Sequence, residues 1–324
     1  QRNNLPMKAT QQLTRHYAGI SNPSGAVALS DNLFIVGDDE DNRLRIYDRN
    51  TFDKPLHILS LSDIFKGAIK DGPDLEIDIE SMAAMGNVLF IIGSHSTSRT
   101  GEYRPARHRL MAIQFKLDAS NKVDIHPVGE IYTHLIDDLQ QDARFKLYRL
   151  DKAAKTPPKA IGGLSIEGLA ATPDNGLLIG FRNPLSGGKI RNERLVGGSA
   201  LLVKLKNPFE VIHGLPARFA KPIELDLEGQ GIREITWRKK HQFMIVAGPY
   251  HENIASKTHP KEMGKLYYWF SRSKKLKEYK KVALENLNIE AAFFYPKDNK
   301  TVQLLSDDGQ MRNEKRFRSQ IVKL

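Results

Sequence analysis

Cysteine is absent from this chain of 324 residues. Its absence excludes disulfides, thiol nucleophiles and cysteine-ligated zinc. The sequence also lacks a run of about eighteen apolar residues, the length that a membrane-spanning helix requires. Nucleophile-elbow, P-loop, His-Glu-x-x-His and dinucleotide-binding motifs are missing as well. The informative features are therefore the repeats in the chain and the residues that depart from them.

The composition is that of a globular protein with a sizeable core, since 40% of residues are hydrophobic and 27% are charged. The net charge is +11, but the basic residues are scattered, which argues against nucleic acid as a partner. The missing cysteine and the polar start at Gln1 favour a periplasmic or secreted location. We expect a monomer with no membrane span.

One sequence pattern, clearest at residues 165–183, recurs along the chain with different residues, and we call each copy a phrase. It begins with a strand of small residues whose first side chain is polar or acidic. A turn follows, and then an apolar strand that ends at or near glycine. Related phrases occupy residues 24–39, 80–95, 234–250 and 290–308. A third alternating strand follows each phrase, and a fourth follows all but the last. The fourth strand of the 234–250 unit is predicted at residues 279–284.

Four-stranded units that recur in this way are typical of a β-propeller. The pattern predicts an all-β fold with five blades, forming a single domain over residues 1–324. A strand at residues 12–18 would complete the last blade and close the ring. The segment 133–160 does not fit a blade. Its apolar residues share a helical spacing over residues 133–155, which predicts a helical insertion that acts as a lid or a brace. These apolar residues are Leu135, Leu139, Ala143, Leu147 and Leu150.

The residues that open the five phrases should form a ring at one mouth of the central channel. They are Ser24, Glu80, Glu167, Glu234 and Glu290. A residue type repeated in nearly every blade indicates a structural role, such as bonding to backbone or to a neighbouring arginine like Arg233. The alternative is a channel lined by carboxylates that binds a cation.

Carboxylates are concentrated where blades one and five meet. Asp38 and Asp39 close the first phrase, and Asp307 and Asp308 close the fifth. Like charges placed together require a cation, an arginine or a raised pKa. Oxygen ligands suit Ca²⁺ or Mg²⁺, so these four aspartates are the predicted metal ligands, and no organic cofactor is expected. The alternative is that they serve as polar turn residues.

The long loops on the same face carry basic, amide and aromatic side chains. Guanidinium groups suit phosphate or carboxylate, so we expect an anionic ligand here. The predicted ligand-binding residues are His95, Arg104, Arg109, Glu167, Arg182, Asn183, Tyr250 and His251. The alternative is that these loops carry solvated charges and surface ion pairs.

Several phrases resemble a bacterial family of unknown function, domain-of-unknown-function family 3616. The resemblance covers about residues 20 to 310 and is carried by five segments. They are Val36–Asn42, Ile92–Ser96 with Tyr103–Pro105 and His108–Leu110, Ile166–Ala170, Ile179–Pro184 and Leu304–Gly309. The resemblance to this family implies a propeller without established catalytic residues. A more distant similarity is to phytase-like propellers, which are exported calcium-dependent phosphatases.

Three functional hypotheses follow. The first is a propeller whose loop-rich face binds an anionic small molecule or glycan, with or without a divalent cation. The second is a metal-dependent phosphoester hydrolase that uses the four aspartates as ligands and Arg182 to hold phosphate. The third is a protein-interaction platform without catalysis.

Overall fold

The fold was described from a computed structural model, which covers residues 12–282, 284, 287–309 and 315–324. Strand β1 (Gln12–Ala18) pairs antiparallel with the last strand of the chain, β22 (Arg316–Lys323). This pairing joins the two ends of the described chain in one sheet and closes the ring, as predicted.

Five four-stranded antiparallel sheets form the blades of a β-propeller, which confirms the predicted fold. Blade one contains β2 (Pro23–Ala28), β3 (Leu33–Asp38), β4 (Arg43–Asp48) and β5 (His57–Ser60). Blade two contains β6 (Ile79–Met85), β7 (Val88–Gly93), β8 (Leu110–Leu117) and β9 (Val123–Tyr132). Blade three contains β10 (Ser165–Ala171), β11 (Leu177–Ser186), β14 (Ser199–Leu205) and β15 (Ile223–Leu225), with a hairpin of β12 (Lys189–Arg191) and β13 (Arg194–Val196) inserted.

The remaining blades follow the same plan. Blade four contains β16 (Gly231–Lys239), β17 (Gln242–Gly248), β18 (Lys265–Phe270) and β19 (Lys275–Tyr279). Blade five contains β20 (Ile289–Tyr295), β21 (Asp298–Ser306), β22 and β1. The prediction of residues 279–284 for the fourth strand of blade four was wrong, because β19 spans Lys275–Tyr279, within a lysine-rich stretch. An outer strand tolerates this composition since its lysines face solvent.

Apolar side chains are buried in five clusters, one at each interface between neighbouring blades. The inner strands are built from small residues because they crowd around the channel. At Gly25, for example, an added Cβ would lie 2.7 Å from the Cα of Ser81 in the next blade. Close approach of the inner strands therefore explains the small-residue phrase that recurs in the sequence.

Short helices lie between the strands. They are α1 (Leu61–Ile64), a 3-10 turn (Pro105–Arg107), α2 (Leu135–Gln141), a 3-10 helix (Ala143–Tyr148), α3 (Leu150–Ala153) and α4 (Pro208–Val211). No helix in the described ranges has both the length and the apolar character needed to cross a membrane.

The helical insertion packs against the cluster between blades two and three, where Leu135, Leu139 and Leu150 are fully buried. It therefore acts as a brace. Ala143 and Leu147 depart from the predicted apolar face, since Ala143 is exposed and Leu147 is 66% exposed, and Phe145 is buried instead. The reason is that the α-helix ends at Gln141 and the following 3-10 helix has a different number of residues per turn.

Candidate functional site at the loop-rich mouth of the channel

Each inner strand contains an irregularity in its pairing with the second strand, close to its first residues. The pairing shifts between Pro23 and Gly25, and equivalent shifts occur in the other four blades. A bulge of this kind leaves one residue unpaired and redirects its side chain. The five bulged residues are Ser24, Glu80, Glu167, Arg233 and Glu290.

All five bulged residues line one cavity of about 550 Å³ at the loop-rich mouth, which we call the mouth cavity. In blade four the ring position is occupied by Arg233. The predicted ring residue Glu234 was therefore one position out of register. Glu234 pairs with Val246 in the regular ladder and contacts the opposite part of the channel. The other four predicted ring residues do lie at the mouth cavity.

Arg233 joins two of the ring carboxylates. Its Nε lies 2.7 Å from Glu167 Oε2, and its Nη2 contacts Glu290 Oε1. Arg182 Nη1 donates to Glu167 Oε1 at 2.9 Å. Burial disfavours the charge of Glu167, but the two arginines outweigh it and hold the pKa of Glu167 below its usual range. Blades three, four and five are thus linked by an internally neutralised ion-pair network.

Each of the three guanidinium nitrogens of Arg182 donates one hydrogen bond within the protein. Besides its bond to Glu167, its Nε donates to the carbonyl oxygen of Pro249 at 2.9 Å and its Nη2 donates to that of His251 at 3.2 Å. The guanidinium therefore secures the loop after β17. This geometry does not support the predicted use of Arg182 to hold a phosphate group.

The carboxylates of blades one, two and five on the other side of the cavity are much less compensated. Asp39 Oδ1 is buried without a hydrogen-bond partner among the described residues. Burial, reinforced by the charges of Asp78, Asp38 and Asp307, raises the pKa of Asp39 to about 8. Burial and the charge of Asp78 likewise raise the pKa of Glu80 well above its usual range.

Asp307 completes this acidic side. Its Oδ1 accepts the backbone N–H of Gly309 at 2.8 Å, and burial raises its pKa. The hydroxyl of Ser24 also lines the cavity, and its oxygen is buried without a partner among the described residues. The group formed by Ser24, Asp39, Glu80 and Asp307 is named the acidic side below.

The four predicted metal ligands are divided between two environments. Asp39 and Asp307 line the mouth cavity, whereas their neighbours do not. Asp38 accepts the N–H of Glu40 at 2.8 Å, and Asp308 receives two guanidinium contacts from Arg318. Asp38 is the last residue of β3, whereas Asp39 lies in the bend that follows the strand. Within the described ranges, no three His, Asp or Glu side chains are grouped closely enough to hold a metal ion as they stand.

Cationic groups at the cavity come from the 94–109 loop and from the segment after the insertion. Arg107 is neutralised by Glu76 at 2.8 Å and Asp78 at 3.4 Å. Lys159 and Arg99 also line the cavity. Partial desolvation and the charge of Arg182 lower the pKa of Lys159. Sequence reasoning missed Lys159, although Pro157-Pro158 beside it marked the end of the insertion.

The predicted ligand-binding histidines lie behind the cavity wall. His95 Nδ1 contacts the carbonyl oxygen of Gly93 at 2.8 Å, and burial lowers the pKa of His95 to about 3, so the ring is neutral. It packs against His108 with ring centroids 5.3 Å apart. His251 Nε2 lies 3.0 Å from Glu262 Oε1. Both histidines therefore support loops.

The other predicted ligand-binding residues also hold loops in place. Arg104 forms ion pairs with carboxylates at the surface, and Arg109 donates to a backbone carbonyl. Asn183 donates to the carbonyl oxygens of Pro158 and Ala160, which positions the segment carrying Lys159. The Tyr250 hydroxyl accepts a backbone N–H. Of the eight predicted ligand-binding residues, Glu167 and Arg182 are the two that line the mouth cavity.

Solved structures with a similar arrangement are remote in sequence. The PQQ-bound aldose sugar dehydrogenase of Streptomyces coelicolor is 10% identical, with a TM-score of 0.45 over 97% of this chain and 98% of that one. Glutaminyl cyclase of Myxococcus xanthus is 9% identical, with a TM-score of 0.43 over 98% and 100%. Regucalcin of Agrobacterium tumefaciens, a calcium-binding protein, is 8% identical, with a TM-score of 0.42 over 94% and 92%. These similarities concern the fold alone.

No curated protein matches the chain. A family model does match it, over residues 22–123 and 122–253, which is more than half of the chain. The match includes the mouth-cavity residues of blades one to four and confirms the resemblance inferred from the sequence. The chain belongs to the family described as "Protein of unknown function (DUF3616)".

Proposed function

We propose that the mouth cavity binds a small anionic molecule together with a divalent cation. The observation that carries this proposal is the division of charge within one cavity. Among the described residues, Asp39, Glu80 and Asp307 of the acidic side form no ion pair, and Lys159 and Arg99 stand apart from the ion-pair network. The volume of about 550 Å³ is in the usual range for a small-molecule site.

The cation would bind at the acidic side. Carboxylate and hydroxyl oxygens are the ligands that Ca²⁺ and Mg²⁺ prefer. The pKa of Asp39, raised to about 8, means that this carboxyl retains its proton near neutral pH, and a bound cation would displace that proton. Small movements of the side chains would be needed to gather the oxygens around one ion.

The anionic group of the ligand would lie between the cation and Lys159. Lys159 is suited to this role because desolvation strengthens its interaction with an anion and Asn183 holds the backbone on either side of it. A sugar phosphate or an acidic sugar has the required size and charge. Hydroxyl groups of such a ligand could bond to Ser24 and Glu80.

Phosphoester hydrolysis is a second candidate, and it is favoured by Asp39. In this alternative Asp39 does not bind the cation, because a carboxyl group with a pKa of about 8 remains protonated at neutral pH and can act as a general acid. Lys159 would replace Arg182 as the phosphate-binding residue of this hypothesis. Release of inorganic phosphate from glucose 6-phosphate, measured with Ca²⁺ or Mg²⁺ present, separates an enzyme from a binding protein.

Thermal unfolding tests the binding proposal. Ca²⁺, Mg²⁺ and glucose 6-phosphate are each added alone and then as metal–phosphate pairs. At about one hundred times its dissociation constant, a ligand stabilises the folded state by about 2.7 kcal/mol. We expect a pair to raise the melting temperature by more than the sum of its two components.

Three variants locate the effect. Asp39→Asn should abolish the metal-dependent shift, and Lys159→Met should abolish the additional shift from the phosphate. Asp308→Asn is the matched control, because Asp308 points away from the cavity, and it should preserve both shifts. A parent protein that responds to no combination would refute the proposal, and so would an Asp39→Asn variant that responds like the parent.

A further inference from the structure

The opposite end of the central channel forms a second cavity, of about 470 Å³, which we call the far cavity. It is lined by the last residues of the inner strands, which run away from the loop-rich face. Its wall is largely apolar and includes Ala26, Ala28, Ala83, Ala170 and Phe293. The mouth cavity, by contrast, is lined mainly by charged and polar side chains.

Glu234 lies at the inner end of the far cavity and is 1% exposed. Its Oε1 accepts the hydroxyl of Ser81 at 2.7 Å and the N–H groups of Ile235 at 2.9 Å and Leu169 at 3.4 Å. These bonds join blades two, three and four across the channel. Burial raises the pKa of Glu234 well above its usual range.

The rim of the far cavity is basic. Arg238, Lys239 and Lys297 line it, and Glu234 is the one acidic residue among its described lining residues. Lys239 is exposed, and Arg238 lies over the ring of Tyr268 while its Nε donates to a backbone carbonyl. Lys297 forms a surface ion pair with Asp31. The rim thus has a positive charge above an apolar interior.

The apolar wall and the basic rim of the far cavity select one class of ligand. An apolar body gains free energy by leaving water for the wall of the cavity. A negative group attached to it is attracted by the basic rim, whereas a positive group is repelled. We propose that the far cavity is a second binding site, which takes a small amphipathic anion with its apolar body in the channel and its negative group at the rim.

Trp237 provides a direct signal for binding. It lines the far cavity and is 43% exposed, whereas Trp269, the other tryptophan of the chain, is 2% exposed in the interface between blades three and four. A ligand in the far cavity should change the fluorescence of Trp237. A Trp237→Phe variant should remove this response, because Trp269 is buried and does not line the far cavity.

The test compares hexanoate with hexylammonium, which have the same apolar chain and opposite charges. We expect a saturable fluorescence change with hexanoate. The dissociation constant of hexylammonium should be higher by about tenfold or more, since attraction to the rim becomes repulsion. Lys239→Met should weaken hexanoate binding by up to about fivefold, the contribution of one exposed charge contact. This exposed substitution is not expected to affect folding.

A blocking variant tests the location. Thr236 lies on the same face of β16 as Glu234 and nearer to the opening, so Thr236→Phe should fill the entrance and abolish the response. Asp39→Asn at the other mouth should leave hexanoate binding unchanged, which separates this site from the proposed function. Equal affinity for the two probes, no saturable change, or a full response from folded Thr236→Phe would each overturn the proposal.

Discussion

Replacing Asp39 by asparagine should stabilise the folded protein at alkaline pH and leave it almost unchanged at acidic pH. Burial raises the pKa of Asp39 from 3.8 to about 8 in the folded state. Below pH 3.8 the carboxyl is protonated in both states and contributes nothing. Between the two pKa values the unfolded chain loses this proton and the folded chain keeps it. Stability therefore falls as the pH rises and levels off above about pH 8.

The size of the effect follows from the separation of the two pKa values. A pKa raised from 3.8 to about 8 corresponds to a cost on the order of 5 kcal/mol once the buried carboxyl is ionised. Relaxation of the site and sharing of protons with Glu80 would reduce this free-energy cost, and we expect about half of the cost to remain. For a chain of this length, about 2.5 kcal/mol corresponds to a melting temperature about 4 °C higher.

The assay is thermal unfolding of the parent and Asp39→Asn proteins at several pH values from 5 to 9, without divalent cations. The difference in melting temperature should grow steadily between pH 5 and pH 8 and then remain constant. Asp53→Asn is the matched control because Asp53 is exposed, and it should show no such trend. A difference that is independent of pH, or an Asp39→Asn protein less stable at pH 8.5, would refute the reasoning.

Three further substitutions test the architecture. Arg233→Met should lower the free energy of unfolding by about 3 kcal/mol or more, measured by urea denaturation, because it leaves two buried carboxylates without their shared partner. Gly231→Ala should prevent soluble expression, since the added Cβ would lie 2.0 Å from the carbonyl oxygen of Arg182; normal yield and melting temperature would contradict this. Asp308→Asn should cost about 1 to 2 kcal/mol through the weakened contact with Arg318, and the same loss should be measured with and without calcium.

The blades could be predicted from the sequence because each one repeats the same physical requirement. Crowding around the channel demands small residues in every inner strand, and burial on both faces demands a continuous apolar second strand. Both requirements act within a few residues of chain, so they are visible as the recurring phrase at residues 165–183. Strand β19 was misplaced because an outer strand has neither requirement.

The residue of blade four that occupies the ring position could not be predicted in the same way. A bulge is defined by the residues that pair across the strand, and these are not specified by the bulged residue itself. Glu234 matched the glutamates of the other blades by residue type, but its pairing with Val246 places it in the regular ladder. The choice between Arg233 and Glu234 therefore depends on contacts between strands, which residue types alone do not reveal.

The division of the aspartate pairs has a similar origin. Asp38 and Asp39 were predicted to act together because they are adjacent, yet Asp38 ends strand β3 and Asp39 lies in the bend that follows it. The partner that separates Asp308 from the cavity, Arg318, belongs to the last strand and lies ten residues further along the chain. Basic loop residues such as Arg104 were misassigned because a charged residue that supports a loop and one that binds a ligand look alike in sequence.

Arg233 is also the residue that makes the channel mouth asymmetric. A ring of carboxylates in every blade would be evenly repulsive, and no position in it would differ from the next. Arg233 neutralises its neighbours Glu167 and Glu290, while Ser24 places an uncharged side chain at the ring position of blade one. Glu80 is thereby left as the one ring carboxylate without an ion pair among the described residues, facing the side where Asp39 lies. Carboxyl groups without an ion pair, confined to one side of a repeated scaffold, are the property that a ligand site needs, and here they arise from two departures from the repeat.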